Sequence, residues 1–389
     1  MLTSSVGYSI REDSYESGIE SAKMALEKIK TPIIAFLYTS IKYNQRKVLE
    51  GVNSVLGNVP IIGCNSDGAL IVPSGIVNES TGFSGVMLLE DPNMKIGLAI
   101  SSHCGNARQL GHTLALEAME DAGEGSAPDY IYMIASSPYE EEYLKGIEDV
   151  VGKVPLFGGG IADYSNLGSN TLFTHASVVE CGVAVAFIYT DKKIVTEYTG
   201  SYQETNNSGI VTKIDGSRNL VEIDGVPSLQ KYADWIEENA ENLLGRNLSF
   251  HSVLKPLGIK NIEEDFIAIR QPVFGNTDYS INISQDIALN TTVICMKSTP
   301  GDLVDSTKTV LEQVQKRLEN KAGAYLLIHS GNRKKKVETQ LNEIHRNLKE
   351  TANGGPFMTI FTLGEYGSNS QSTNSCGELM LSFTGFSKE

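Results

Sequence analysis

The first half of the chain carries the same succession of elements twice, and any fold it adopts has to accommodate both copies. The apolar segments 33–38 (IIAFLY) and 129–136 (DYIYMIAS) correspond, with Ile34 and Ile131 97 residues apart. Pro60 and Pro155 are 95 apart, and Gly85-Val86 and Gly182-Val183 are 97 apart. Agreement of three landmarks within two residues defines an α-β-α-β-β-β duplication, about 1–104 and 105–200. In the first copy, Tyr15, Ile19, Ala22, Leu26 and Ile29 form one apolar stripe, predicting a helix over 14–29 with Asp13 as its cap. A helix over 44–56 leads to a strand at 60–64, then strands 83–90 and 94–101 joined through Asp91-Pro92-Asn93 as a hairpin. The second copy predicts helices over 107–122 and 140–150, a strand at 154–160, and a hairpin of 182–189 with 193–200. The strands are apolar throughout rather than alternating, so both faces are expected to be covered. The expected fold is α/β: two domains of mixed sheets with flanking helices, the duplicated sheets face to face.

A polar, Asn- and Gly-rich stretch over 201–218 places a domain boundary near 218. Beyond it the patterning predicts a helix at 226–243, strands 266–274 and 291–298, and a helix at 302–319 capped by Asp302. A strand at 324–330, a helix at 333–348 and strands 357–365 and 377–385 follow. The 389 residues suit two or three domains. A net charge of −15 repels nucleic acid and anionic lipid, so neither is an expected partner. No apolar run reaches membrane-spanning length, and residues 1–18 lack the basic and apolar regions of a secretory signal. Cys64, Cys104, Cys181, Cys295 and Cys376 are scattered and odd in number, fitting reduced thiols in a cytoplasm.

Three strand ends share one design. Thr39-Ser40, Ser136-Ser137 and Ser330-Gly331-Asn332-Arg333 each precede a predicted helix, whose N-terminal N–H groups suit an anion. Each helix leads to a glycine-rich strand end: Gly63-Cys64-Asn65-Ser66-Asp67-Gly68, Gly158-Gly159-Gly160-Ile161-Ala162-Asp163, and Gly364-Glu365-Tyr366-Gly367. The basic run 333–336 opposes the helix dipole in an acidic protein. Arg333 is therefore expected to hold a ligand carboxylate, and Glu365, with Asp163, a ligand amine.

The succession PIIGCNSDG (60–68), VPLFGGGIAD (154–163), IDGVPSLQKY (223–232), LLIHSGNR (326–333) and FTLGEYG (361–367) resembles the FIST family of prokaryotic sensory proteins. The resemblance implies an N-terminal FIST domain over 1–218 and a C-terminal one over 219–389. It implies a stand-alone sensor of an amino-acid-like or small carboxylate ligand. Family members are often fused to kinase, cyclase or chemotaxis outputs, and none is recognisable here, so a separate signalling protein is the expected partner. By motif, the implied ligand-binding positions are Gly63, Cys64, Asn65, Ser66, Gly158, Gly159, Gly160, Asp163, Arg333, Gly364 and Glu365, to which the strand ends add Ser136, Ser330 and Asn332. Ser330 stands where relatives often carry cysteine. No catalytic residue, metal or cofactor is expected, and Ser-x-x-Lys at 228–231 reads as a helix start. Two alternatives stay open: a haem-binding nitric-oxide or gas sensor using one of six isolated histidines, and an enzyme using Cys64 as nucleophile.

Overall fold

The repeat occurs three times, not twice. The computed structural model describes residues 1–78, 81–161, 171–261, 266–368 and 374–389. The first unit runs β1 Thr3–Ser9, α1 Ser14–Leu26, β2 Ile34–Thr39, α2 Gln45–Leu56, β3 Ile61–Asn65, the short strands β4 Leu70–Val72 and β5 Gly75–Val77, and β6 Ser84–Glu90. The second runs β7 Lys95–Ser102, α3 Ala107–Ala122, β8 Tyr130–Ser136, α4 Glu140–Val151, β9 Leu156–Ile161, β10 Leu172–Thr174, β11 Val178–Val179 and β12 Gly182–Tyr189.

The third unit opens with β13 Ile194–Thr199 and is then interrupted. The interruption holds β14 Gln203–Asp215, β15 Asn219–Ile223, β16 Val226–Pro227, α5 Ser228–Ile236, β17 Arg246–Asn247 and α6 Ser249–Ser252. It continues with β18 Leu257–Asn261, β19 Phe266–Arg270, β20 Pro272–Gly275, β21 Ile281–Ile283 and β22 Thr292–Lys297. The unit resumes with α7 Pro300–Leu318, β23 Ala322–Ser330, α8 Gly331–Lys336, α9 Leu341–Ala352, β24 Phe357–Thr362, β25 Glu365–Ser368, β26 Asn374–Gly377 and β27 Leu381–Ser387. Residue 218 lies in the turn between β14 and β15.

Each unit builds a sheet in the order first, last, second, third strand, and each sheet is extended by a hairpin from another unit. The orders are β1-β6-β2-β3-β10-β11, β7-β12-β8-β9-β25-β26 and β13-β27-β23-β24-β4-β5. The hairpin of the first unit thus completes the third sheet, that of the second completes the first, and that of the third completes the second. The expected hairpins 83–90/94–101 and 182–189/193–200 do not form: β7 pairs with β12, and β13 pairs with β27. Their tight turns instead carry the chain from one unit to the next.

Apolar residues on both faces of the central strands follow from this architecture. Ile34, Phe36 and Tyr38 of β2 join a core shared by all three sheets with Tyr132 and Ile134 of β8 and Leu326 and Ile328 of β23. The intervening Ala35 and Leu37 meet α1 and α2, Ile131 and Met133 meet α3 and α4, and Leu327 meets α7 and α9. Three sheets around one interior, not two face to face, do the covering. Tyr38 and Tyr132 share a hydrogen bond across that interior, satisfying two hydroxyls otherwise costly to bury.

Local differences have local causes. The helix expected over 226–243 stops at Ile236, where Glu237 turns left-handed (φ 62°). The one expected over 333–348 breaks at Val337 into α8 and α9. Thr299 caps α7, and Asp302 completes its capping box. The inserted sheet docks on α4 through Arg218, which pairs with Glu140 (3.2 Å), Glu141 (3.1 Å) and Asp286 (3.0 Å). Arg270 lies 3.6 Å from Glu141 at the same contact.

Strand spacing explains two of the glycines. A Cβ on Gly63 would fall 1.7 Å from the Leu37 carbonyl oxygen, and one on Gly158 1.9 Å from that of Met133. Gly63→Ala is expected to cost about 3 kcal/mol or more of stability in urea denaturation through this overpacking. Gly125→Ala, which meets nothing within 4 Å, should be near neutral.

Candidate functional site

The interior is apolar along most of its length and becomes polar at the ends of β23 and β24. Ser330 closes β23 beside Thr362 of β24, and Ser382 of β27 lies opposite Ile328. The hydroxyls of Ser330 and Ser382 are buried and have no hydrogen-bond partner among the described residues. Thr362 Oγ1 donates to Glu365 Oε1 (3.1 Å), and the Met380 N–H donates to Glu365 Oε2 (2.9 Å). Burial holds the Glu365 carboxyl well above its usual range, against those donors and the field of Arg333. The Tyr198 hydroxyl donates to the Glu365 carbonyl (2.9 Å). Asp67 reaches the same cluster from the first unit: a Cβ on Gly331 would lie 2.6 Å from Asp67 Oδ2 and 3.2 Å from the Thr362 carbonyl oxygen. Lys335 Nζ stands 3.6 Å from Asp67 Oδ2.

The expected site residues separate into three groups. Ser330, Glu365, Gly364, Gly159 and Gly160 come together. Glu365 pairs with Gly159 in the exchanged hairpin, and the Gly160 N–H donates to the Gly364 carbonyl (2.6 Å). A second group makes structural contacts within units and between them. Asn65 Oδ1 accepts from the Thr171 N–H (2.6 Å), and its Nδ2 donates to Thr39 Oγ1 (3.1 Å). Ser66 Oγ donates to the Ala69 carbonyl (2.7 Å) and accepts from the Phe361 N–H (3.0 Å). Ser136 Oγ accepts from the Gly182 N–H (2.8 Å), and Gly63 and Gly158 serve strand packing. Asn332 Nδ2 donates to Gln271 Oε1 (3.1 Å) in the inserted sheet. Asp163 lies outside the described residues.

The third group is corrected by burial. Arg333 has no exposed surface. Its Nη1 donates to the carbonyls of Gly200 (2.9 Å) and Leu379 (3.2 Å). Nη2 donates to Ser306 Oγ (2.6 Å) and the Leu303 carbonyl (3.4 Å). Nη1 and Nη2 are thus committed to four protein acceptors, and Nε is buried without a partner among the described residues. Cys64 is buried in the central core, and burial pushes its thiol upward, the reverse of an activated nucleophile. Cys104 and Cys181 are exposed, so iodoacetamide is expected to label them first and to spare Cys64, read by peptide mass spectrometry. The helix starts expected to take an anion differ as well. α2 is capped by Asn44, and α8 is one short turn.

Sequence reasoning missed Ser382, Thr362, Asp67 and Lys335 as site residues. The signal for Ser382 was present: in LSFTGFS, Ser382 and Thr384 alternate with Leu381 and Phe383, putting hydroxyls on a face where the other sheets carry apolar residues.

His329 is fully buried beside this cluster. Its Nδ1–H donates to the Ser330 carbonyl (2.9 Å), leaving Nε2 buried without a partner. Burial, reinforced by Arg333, lowers its pKa from 6.5 to about 3. A depressed histidine leaves the unfolded chain holding more protons, so its contribution to stability is lost as pH falls from 6.5 toward 3. His329→Phe is expected to remove that part of the slope, seen in urea midpoints at about pH 7 and about pH 4.

Buried hydroxyls and a carboxyl thus gather at one end of an apolar interior. The FIST N domain model matches residues 33–226, and the FIST C domain model matches 228–368. The chain belongs to the FIST family, whose domains are sensory domains that bind small ligands. No curated protein matches it significantly. Among solved structures, a chorismatase aligns at 8% identity over 100% of this chain and 99% of its own, with a TM-score of 0.39. A cyanuric acid hydrolase from A. caulinodans aligns at 9% identity over 58% and 84%, with a TM-score of 0.30. Scores this low carry no inference. Among the described residues, no helix is long and apolar enough to cross a membrane.

Proposed function

We propose that the chain senses a ligand of amino-acid or small-carboxylate size at the Ser330–Ser382–Thr362–Glu365 cluster and signals to a separate protein. The observation that carries this reading is the pair of buried hydroxyls, Ser330 and Ser382, that have no partner. An unmade buried hydrogen bond costs about 1–3 kcal/mol, and a carboxylate accepting from both would recover that cost. An ammonium beside Glu365 would offset the burial that holds its carboxyl above the usual range. Asp67 and Lys335 supply one charge of each sign at the edge, as a zwitterion requires. In this reading the task is binding, not turnover. The ligand's carboxylate is assigned to hydroxyls and Lys335 rather than to Arg333.

The test is a thermal-shift panel of common amino acids and small carboxylates. A ligand at about 100 times its Kd adds about 2.7 kcal/mol, a shift of several degrees for a chain of this size. One saturable hit is expected. Ser330→Ala with Ser382→Ala should abolish it while leaving the ligand-free protein as stable or more so, because each change removes an unsatisfied hydroxyl. A flat panel, or a hit that survives both changes, rejects the reading.

A further inference from the structure

We propose that α8 passes ligand occupancy at the Ser330–Ser382 cluster to the inserted sheet, residues 203–297. The trigger rests on the binding reading above, but the path stands on contacts of its own. α8 begins immediately after Ser330 and touches the inserted segment or its crossing points in three ways. Asn332 bonds to Gln271 (3.1 Å), which sits at the break between β19 and β20. Gln271 is itself anchored: its Nε2 donates to Ser252 Oγ (3.1 Å), and its backbone N–H donates to Ser284 Oγ (3.0 Å). Lys336 Nζ lies 3.9 Å from the ring centre of Phe250 on α6.

Arg333 makes the third connection and governs both chain crossings. The chain leaves the third unit after Gly200 and returns just before α7. Arg333 holds the Gly200 carbonyl at the exit and, at the return, the Leu303 carbonyl and the Ser306 hydroxyl. Its guanidinium also faces the Tyr202 ring, 5.8 Å from the ring centre. Ser201, between Gly200 and Tyr202, is left-handed (φ 54°), a conformation that non-glycine residues adopt at turns and hinges. A buried guanidinium cannot leave these carbonyls without being stranded, so α8 and the two crossings move as one. A ligand that displaces Ser330 therefore displaces the inserted sheet, which pivots on the Arg218 and Arg270 contacts with α4. Because coupling of this kind is reciprocal, a change in the inserted sheet must also be felt at the cluster.

Hydrogen exchange on the full chain, without ligand, tests the path. Gln271→Ala should raise exchange about threefold or more at residues 327–336 and 359–366, outside the inserted sheet. Arg333→Lys should do the same at 246–253 and 266–275, within it. Should Arg333→Lys fail to fold, Asn332→Ala carries that arm, because its one bond to the inserted sheet is to Gln271 and its other, from Lys335, lies within α8. Glu222→Ala, at a surface pair with Lys213 in the inserted sheet, is the control expected to leave 327–336 unchanged. Changes confined to the body carrying each substitution overturn the proposal. A flat thermal-shift panel with positive exchange would reject the ligand and keep the coupling; the reverse pattern would do the opposite.

Discussion

The exchange of hairpins among the three units is the constraint on which the rest depends. A four-stranded unit of this kind ends in an exposed parallel edge at its third strand, where unpaired N–H and C=O groups would face solvent. Each such edge is covered by a hairpin from another unit: β10 on β3, β25 on β9 and β4 on β24. The same pairings bring the strand ends of different units into contact and so assemble the polar cluster. Thr362 of β24, Glu365 of β25 and Asp67 before β4 meet because β24 accepts one hairpin and launches another. No unit could build that arrangement alone.

Burial then decides what each polar group does. Two positions three residues apart show this. Ser330 faces the shared interior and lacks a partner, whereas Arg333 turns to the helix-covered side of the same sheet, where Nη1 and Nη2 find four acceptors and Nε alone is buried without one. The chain carries 32 basic residues against 47 acidic ones, and the largest of its fully buried side chains is a basic one. Three backbone carbonyls and the Ser306 hydroxyl, rather than a carboxylate, hold its Nη1 and Nη2, which makes Arg333 a structural clasp between segments. Arg218, 78 and 77 residues along the chain from its partners Glu140 and Glu141, performs the comparable task between the inserted sheet and α4.

Much of the repeat was legible before any coordinates. The 97-residue landmarks located two units, and apolar runs on β2, β8 and β12 announced strands covered on both faces. The third unit was hidden because the insertion separates β13 from α7 and places β23 at roughly twice the first spacing from β8. The paired strands of the expected hairpins were correct as strands and wrong as partners. A tight turn permits pairing but does not compel it, and β12 offers β7 a longer partner than its sequence neighbour does. Of the candidate site, Ser330, Glu365, Gly364 and the glycines of β9 were readable as strand ends, whereas Thr362 was not and Ser382 showed only in the alternation of LSFTGFS. Hydroxyls on a strand look solvent-facing until the other two sheets are in place.

The sequence by itself determined the elements, the duplication, the family and the acidic surface, because these follow from local periodicity, composition and motif order. Only the tertiary structure decided which strands pair across units, which face of β23 is interior, and that the Arg333 head meets four protein acceptors while the Ser330 and Ser382 hydroxyls meet none. Those outcomes depend on desolvation and hydrogen-bond satisfaction, properties of a residue's final surroundings rather than of its neighbours along the chain.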